Sequence, residues 1–243
     1  MNIIIPSCYA YRQCWTPWLA FQKHWWPECP YKNVLISNGA FKSGGSESSF
    51  DRVISYEDRG FCGNLLHWCK FYTDDTFVIF ILDDHWICGA VDNHYLDAAS
   101  NIMQHNSDVG CFRLHPSPGP TSELPGSDLC FYGIADQHTP YRISTAPSIW
   151  HVSYLIKLLE LLEREKPEDK QYGFKPGTAG YFEIMGSLMS MTFPETILTS
   201  SVPVIPFINS AIVHGQWNRN AVEEARKIGV EVDTSGRPFR SYS

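Results

Sequence analysis

The stretch that most constrains the fold is residues 77–86, FVIFILDDHW. Six apolar or aromatic side chains in succession exceed what one face of a half-exposed strand can bury, because neighbours along a strand point to opposite faces. Such a run fits a parallel strand covered by helices on both sides. It stops at Asp83, Asp84 and His85. In open α/β sheets, ligands bind beyond the carboxyl ends of the strands. Two carboxylates and an imidazole at that edge suit a divalent cation. With an extended backbone, Asp83 and His85 would share a side and chelate the cation, leaving Asp84 for a second task. The same residues would also serve as caps for the next turn or as partners of a buried arginine, and the triplet alone is compatible with either reading.

The flanking pattern predicts an α/β chain. Residues 2–9 read as a first strand, 15–26 as a tryptophan-rich helix stopped by Pro27 and Pro30, and 34–37 (VLIS) as a second strand, which together make a βαβ unit. Its first loop, residues 7–11, opens on the same edge as the triplet, which makes Ser7 and Tyr9 candidates for ligand contact. A Gly/Ser-rich loop spans 42–49, a strand 51–56, a helix 62–72, a further helix 97–104 and a strand 109–114. Residues 115–128 contain four prolines and two glycines, which predicts a lid or an acceptor-binding insertion. Beyond it, 141–145 (YRIST) reads as a strand and 152–165 as an amphipathic helix ended by Pro167. The segment 173–186 is broken by glycines, and 202–208 (VPVIPFI) reads as a proline-bearing edge strand. The last helix starts at Asn220, with Glu223 completing a capping box, and closes at Gly229.

A chain of 243 residues can bury one core, so one domain over 1–243 is expected, with a ligand-binding half (1–115) and a less regular second half (116–243). The net charge of −7 speaks against nucleic acid, since no basic stripe is present to displace counterions from phosphates. An anionic small ligand would then need a metal or local arginines. The eight cysteines form no CxxC pair, and most have apolar neighbours, which predicts free thiols in a reducing, cytoplasmic setting. No apolar run reaches ~18 residues, the length of a membrane-crossing helix. Peripheral contact with a membrane remains compatible with the sequence.

A βαβ start, an Asp-Asp-His end to a buried strand, an acidic residue about a hundred positions later and a histidine near the C-terminus follow in order. This order resembles the GT-A class of nucleotide-sugar-dependent glycosyltransferases. Within the class it is most similar to small bacterial and viral members with a serine–cysteine start and a strand ending in Asp-Asp. The resemblance implies a GT-A (Rossmann-like) fold with a mainly parallel central sheet flanked by helices. It makes Asp83-Asp84-His85 a DxD-type motif of the D-x-H variety. It implies Mn²⁺ or Mg²⁺ held by Asp83, His85 and His214 (in AIVHGQW), with Asp84 on the ribose or sugar. Glu183 (in GYFEIMG) becomes the general base of an inverting enzyme, although it stands in YFE and not in the acidic pair common in the class.

The implied reaction moves a sugar from a UDP- or GDP-linked donor to a hydroxyl of a carbohydrate or glycoconjugate acceptor. Negative charge builds on the departing diphosphate, and a divalent cation neutralises it. A carboxylate that takes the acceptor proton contributes ~10²–10⁴-fold in rate. For Glu183 the structural alternative is a solvated or capping acid, and for His214 an ordinary loop histidine. Arg113 and Arg142 sit in short apolar patterns and would either pair with buried acids or contact the donor phosphate. Trp150 and Tyr181 would stack on an acceptor sugar or fill the core. Asp51 and Asp92 are weaker candidates for base or ribose contact. Two other functions fit parts of the pattern. A sugar nucleotidyltransferase shares the architecture but needs a glycine-rich loop after the first strand, where this chain has SCYAYR. A non-catalytic carbohydrate-binding module would account for the aromatic share of 14%.

Overall fold

The computed structural model describes residues 1–38, 49–122, 131–170 and 173–241. Strand β1 (Asn2–Pro6) leads through a 3₁₀ segment (Tyr9–Cys14) into α1 (Trp15–Trp25), followed by β2 (Asn33–Asn38), β3 (Arg52–Tyr56) and α2 (Gly60–Phe71). Then come β4 (Phe77–Phe80), the short β5 (Trp86–Ile87), α3 (Asn93–His105), β6 (Val109–Arg113) and β7 (Tyr132–Ile134). The rest is β8 (Ser148–His151), α4 (Val152–Glu165), α5 (Ala179–Ser190), β9 (Thr196–Ser200), β10 (Phe207–Ile208), β11 (Ile212–Val213), β12 (Gln216–Trp217) and α6 (Arg219–Lys227). Among the described residues no helix is long and apolar enough to cross a membrane.

Eight strands form one mostly parallel sheet in the order β3-β2-β1-β4-β8-β6-β9-β7. Strands β3, β2, β1 and β4 run parallel, and so do β6 and β9. Strand β8 is antiparallel to both its neighbours, and β7 is antiparallel to β9. The pleat explains the continuous apolar run at 77–82. Ile79 and Ile81, with Ile3 and Ile5 of β1, join the core beneath α1, α3 and α6. Val78 and Phe80, with Ile4, join the opposite core beneath α2, α4 and α5. Residues 78–81 are all 0% exposed. Each such side chain contributes about 1.5–3 kcal/mol on burial, more than the local strand preference of any residue. Helix α4 lays Leu155, Leu158, Leu159 and Leu162 onto the second core and ends on Lys166 in the left-handed region, just before Pro167.

Several expected elements differ. Residues 141–145 are not a strand: Tyr141 has φ 55, and the stretch is a loop. The strand lies at β8, whose four residues run into α4 with no intervening turn signal. The expected edge strand at 202–208 is reduced to Phe207–Ile208, which pairs with β5 outside the main sheet. Pro203 and Pro206 have no N–H for a ladder, and the intervening Val204 and Ile205 amides both reach the Leu114 carbonyl. The sheet strand is β9, a few residues earlier. The broken segment at 173–186 contains most of α5, capped by Thr178. The last helix is capped by Asn218, not Asn220. Residues 42–48 of the Gly/Ser loop, 123–128 of the proline-rich insertion, and Cys130 lie outside the described residues.

Candidate active site

The carboxyl ends of β1 and β4 open on a cleft of about 490 Å³, lined among others by Ser7, Tyr11, Asn38, Asp58, Asp83, Asp84 and Thr178. The chain does not stay extended after β4. It turns at Asp83 and Asp84, and the His85 amide donates back to the Leu82 carbonyl at 3.1 Å. The side-by-side alternation expected for Asp83 and His85 therefore fails. Both aspartates face the cleft, whereas His85 is 3% exposed, packs on Phe207 at 4.7 Å between ring centroids, and is not a lining residue.

The turn is held by its carbonyls. Trp18 Nε1 donates to Leu82 O at 3.1 Å, Trp86 Nε1 to Asp83 O at 3.2 Å, and the Ala211 amide to Asp84 O at 2.7 Å. The Ser7 hydroxyl donates to Asp83 Oδ2 and accepts from Trp15 Nε1 at 2.7 Å. Burial, reinforced by the Asp84 charge, raises the Asp83 carboxyl well above its usual range, and burial pushes Asp84 up to about 7. Asp58 moves the other way, lowered chiefly by the hydrogen bond from the Gly60 amide at 2.9 Å. The cleft thus holds three carboxylates, and among the described residues no lysine or arginine lines it. Two adjacent, poorly ionised acids in such a place fit a divalent cation, whose charge would favour their ionised form. Among the described residues no three His, Cys, Asp or Glu side chains form a metal-holding group. The donor set is then two carboxylates, the pattern Mg²⁺-like ions adopt when substrate phosphates and water complete the shell.

Glu183 is in the second turn of α5 and is partly exposed. Its Oε1 accepts from the Thr145 amide and hydroxyl, both at 2.8 Å, and from Ser144 Oγ at 3.2 Å. Oε2 has no protein donor among the described residues. Glu183 is not a lining residue of the cleft, although its charge contributes a minor part of the rise at Asp84. The loop at 141–145 therefore has a role that a strand would not serve, since it carries the donors that aim this carboxylate.

The other expected residues separate. Tyr9 stacks beneath Arg12, its amide donates to Asn38 Oδ1, and it does not line the cleft. His214 is exposed at the tip of the β11–β12 hairpin, with φ 50, and does not line the cleft either. Arg142 is 3% exposed and spends its guanidinium on Ala135 O, Ser190 O and Oγ, and Glu195 O, at 2.9–3.1 Å. It ties its loop to the end of α5 and is not presented to a phosphate. Trp150 and Tyr181 are core residues, 0% and 1% exposed, and offer no stacking face. Asp51 accepts from the Asn33 amide at the opposite end of the sheet, and Asp92 caps α3. Sequence reasoning missed Asp58, Ser144 and Thr145. Asp58 follows β3 on the same edge, so the end-of-strand rule that singled out Asp83 would have found it.

Fold and cleft define an α/β protein with paired aspartates at the carboxyl ends of its parallel strands. No family model and no curated protein matches the chain. Solved structures do. A galactosyltransferase LgtC in complex with donor and acceptor sugar analogs is 10% identical over 79% of this chain and 70% of its own, with a TM-score of 0.45. TarS of S. aureus is 13% identical over 94% of this chain and 39% of its own, at 0.47. A mycobacterial protein is 11% identical over 94% and 74%, at 0.44. The likeness is remote in all three.

Proposed function

We propose that the chain is a metal-dependent glycosyltransferase that moves a sugar from a UDP- or GDP-linked donor to a hydroxyl of a carbohydrate or glycoconjugate acceptor. The observation that carries this reading is the pair Asp83–Asp84, buried side by side in a cleft that no basic side chain lines among the described residues. A diphosphate enters a site of that charge only with a cation, and Asp83 and Asp84 are the residues that would hold Mn²⁺ or Mg²⁺. When bound, the ion neutralises charge on the departing diphosphate. Ser7 fixes the Asp83 carboxylate by donating to Oδ2. Glu183, with Oε1 anchored and Oε2 free, takes the proton of the acceptor hydroxyl, which favours inversion.

The two rival functions draw less support. Six of the eight tryptophans, Trp15, Trp18, Trp68, Trp86, Trp150 and Trp217, are less than 2% exposed. Those six tryptophans fill the core and do not form a sugar platform. A nucleotidyltransferase would need a glycine-rich phosphate cradle after β1, where this chain has a 3₁₀ turn free of glycine.

Calorimetry with UDP and with GDP, with and without Mn²⁺, tests the reading. The expected result is tight binding of one nucleotide only when Mn²⁺ is present, lost in Asp83→Asn and Asp84→Asn while their circular dichroism stays native. Metal-independent binding, or unchanged affinity in both variants, would overturn it.

A further inference from the structure

Beside the aspartate turn, the buried Arg113 and His85 and the partly exposed His115 carry hydrogen-bonding capacity in buried atoms that the protein leaves unused. Arg113, at the end of β6, is 1% exposed, and its Nε and Nη1 have no partner. Those two nitrogens bear three of the five guanidinium N–H groups. Nη2 donates to the Ser117 carbonyl. No ion pair to Arg113 forms among the described residues, although the Glu183 charge reaches it. His115 and His85 each have a buried, unpartnered Nδ1. Both rings pack on Phe207, at 4.9 and 4.7 Å. Arg113 interacts electrostatically with His115, and His115 with His85. Arg113 and His85 are buried, while His115 and Glu183 are partly exposed.

A guanidinium stays charged at any pH a protein meets, and burying it with idle donors and no counter-ion is costly. The site gains most from a ligand that brings one negative charge together with acceptor oxygens. The one permanent charge of the site, the Arg113 guanidinium, balances a monoanion. A phosphate monoester carries nearly two charges and fits less well.

We infer that Arg113, His115 and His85 form a subsite for the carboxylate of a hexuronic acid unit, next to Asp84 and Glu183. This narrows the substrate class and rests on the glycosyl-transfer reading of the adjoining cleft. The carboxylate belongs either to the transferred sugar or to the acceptor, and the chemistry of recognition is the same for both.

The acceptor arm compares methyl glucuronide with methyl glucoside by saturation-transfer NMR, in the presence of Mn²⁺ with UDP or GDP. The donor arm compares UDP-glucuronic acid with UDP-glucose, and GDP-mannuronic acid with GDP-mannose, by calorimetry. In one arm the carboxylated sugar is expected to bind about 10- to 100-fold tighter than its neutral counterpart, and Arg113→Met is expected to abolish the preference. Absence of a preference in both arms overturns the subsite, and so does a preference that survives in Arg113→Met. The wild-type comparison decides alone if that variant does not fold. Mn²⁺-dependent nucleotide binding without carboxylate preference removes only the subsite. Carboxylate preference without nucleotide binding removes only the transferase reading.

Discussion

Thr145 holds Glu183 twice through one oxygen, its amide and its hydroxyl each donating to Oε1 at 2.8 Å. The opposite oxygen has no protein donor among the described residues. Glu183→Gln is expected to lower the transfer rate by about 10²–10⁴-fold. Thr145→Val removes only the hydroxyl donor and is expected to cost about tenfold in kcat, with Mn²⁺–nucleotide affinity unchanged. Steady-state transfer rates beside calorimetric affinities check both. A Thr145→Val enzyme with the wild-type rate would deny this grip any part in positioning the base.

Burial depresses His85 to about 3, below its ordinary 6.5. Between those values the unfolded chain binds the proton and the folded chain does not, so this contribution to stability is lost as pH falls from 6.5 toward 3. Asp84, raised by burial from 3.8 to about 7, acts the other way, its contribution being lost as pH climbs through that range. His85→Gln removes the first effect alone. Urea unfolding at a series of pH values is expected to show the wild type losing stability relative to His85→Gln as pH drops below 6.5. A difference constant across the window would contradict the buried neutral imidazole.

Arg142 is a brace between its loop, Ser190 and Glu195. Arg142→Met leaves three backbone carbonyls without their donor and is expected to destabilise the chain by about 3–5 kcal/mol. Denaturant midpoints measure this. A stable variant that had lost only nucleotide affinity would restore the phosphate-binding role.

Gly60 and Gly177 bring the start of α2 against the segment preceding α5, with the Phe61 amide donating to Gly177 O at 2.8 Å. A Cβ on Gly60, which has φ +73, would lie 2.7 Å from the Gly177 Cα. Both glycines line the aspartate cleft. Gly60→Ala is expected to cost about 1–3 kcal/mol in stability and to weaken Mn²⁺–nucleotide binding as that wall moves outward. Thermal unfolding and calorimetry on the same preparation check the two effects together.

The elements that were legible in advance share a strong local signal. Strand β4 announces itself by six apolar residues, α4 by its leucine stripe and Pro167, and β1 through β2 by alternating strand and helix patterns. Strands β8 and β9 are short, carry few apolar residues and take their place from pairing with β4, β6 and β7. Their stability is non-local, so a window of sequence contains little of it. The same holds for the site. Asp83, Asp84 and Glu183 were visible as acids at suggestive places, while the loop donors at Ser144 and Thr145 gain meaning only once α5 packs against them.

The amino-acid sequence by itself determined that this chain is α/β, that its middle strand is buried on both faces and that an acidic turn ends that strand. Those properties follow from side-chain polarity and periodicity, which are local. Only the tertiary structure decided which members of the triplet face the cleft, because the turn after Leu82 packs His85 against Phe207 and leaves the two buried aspartates lining the cleft. It also decided that Arg142 is a brace, whereas Arg113 keeps idle donors. Two arginines in similar sequence surroundings differ only in the carbonyls that distant segments bring to them.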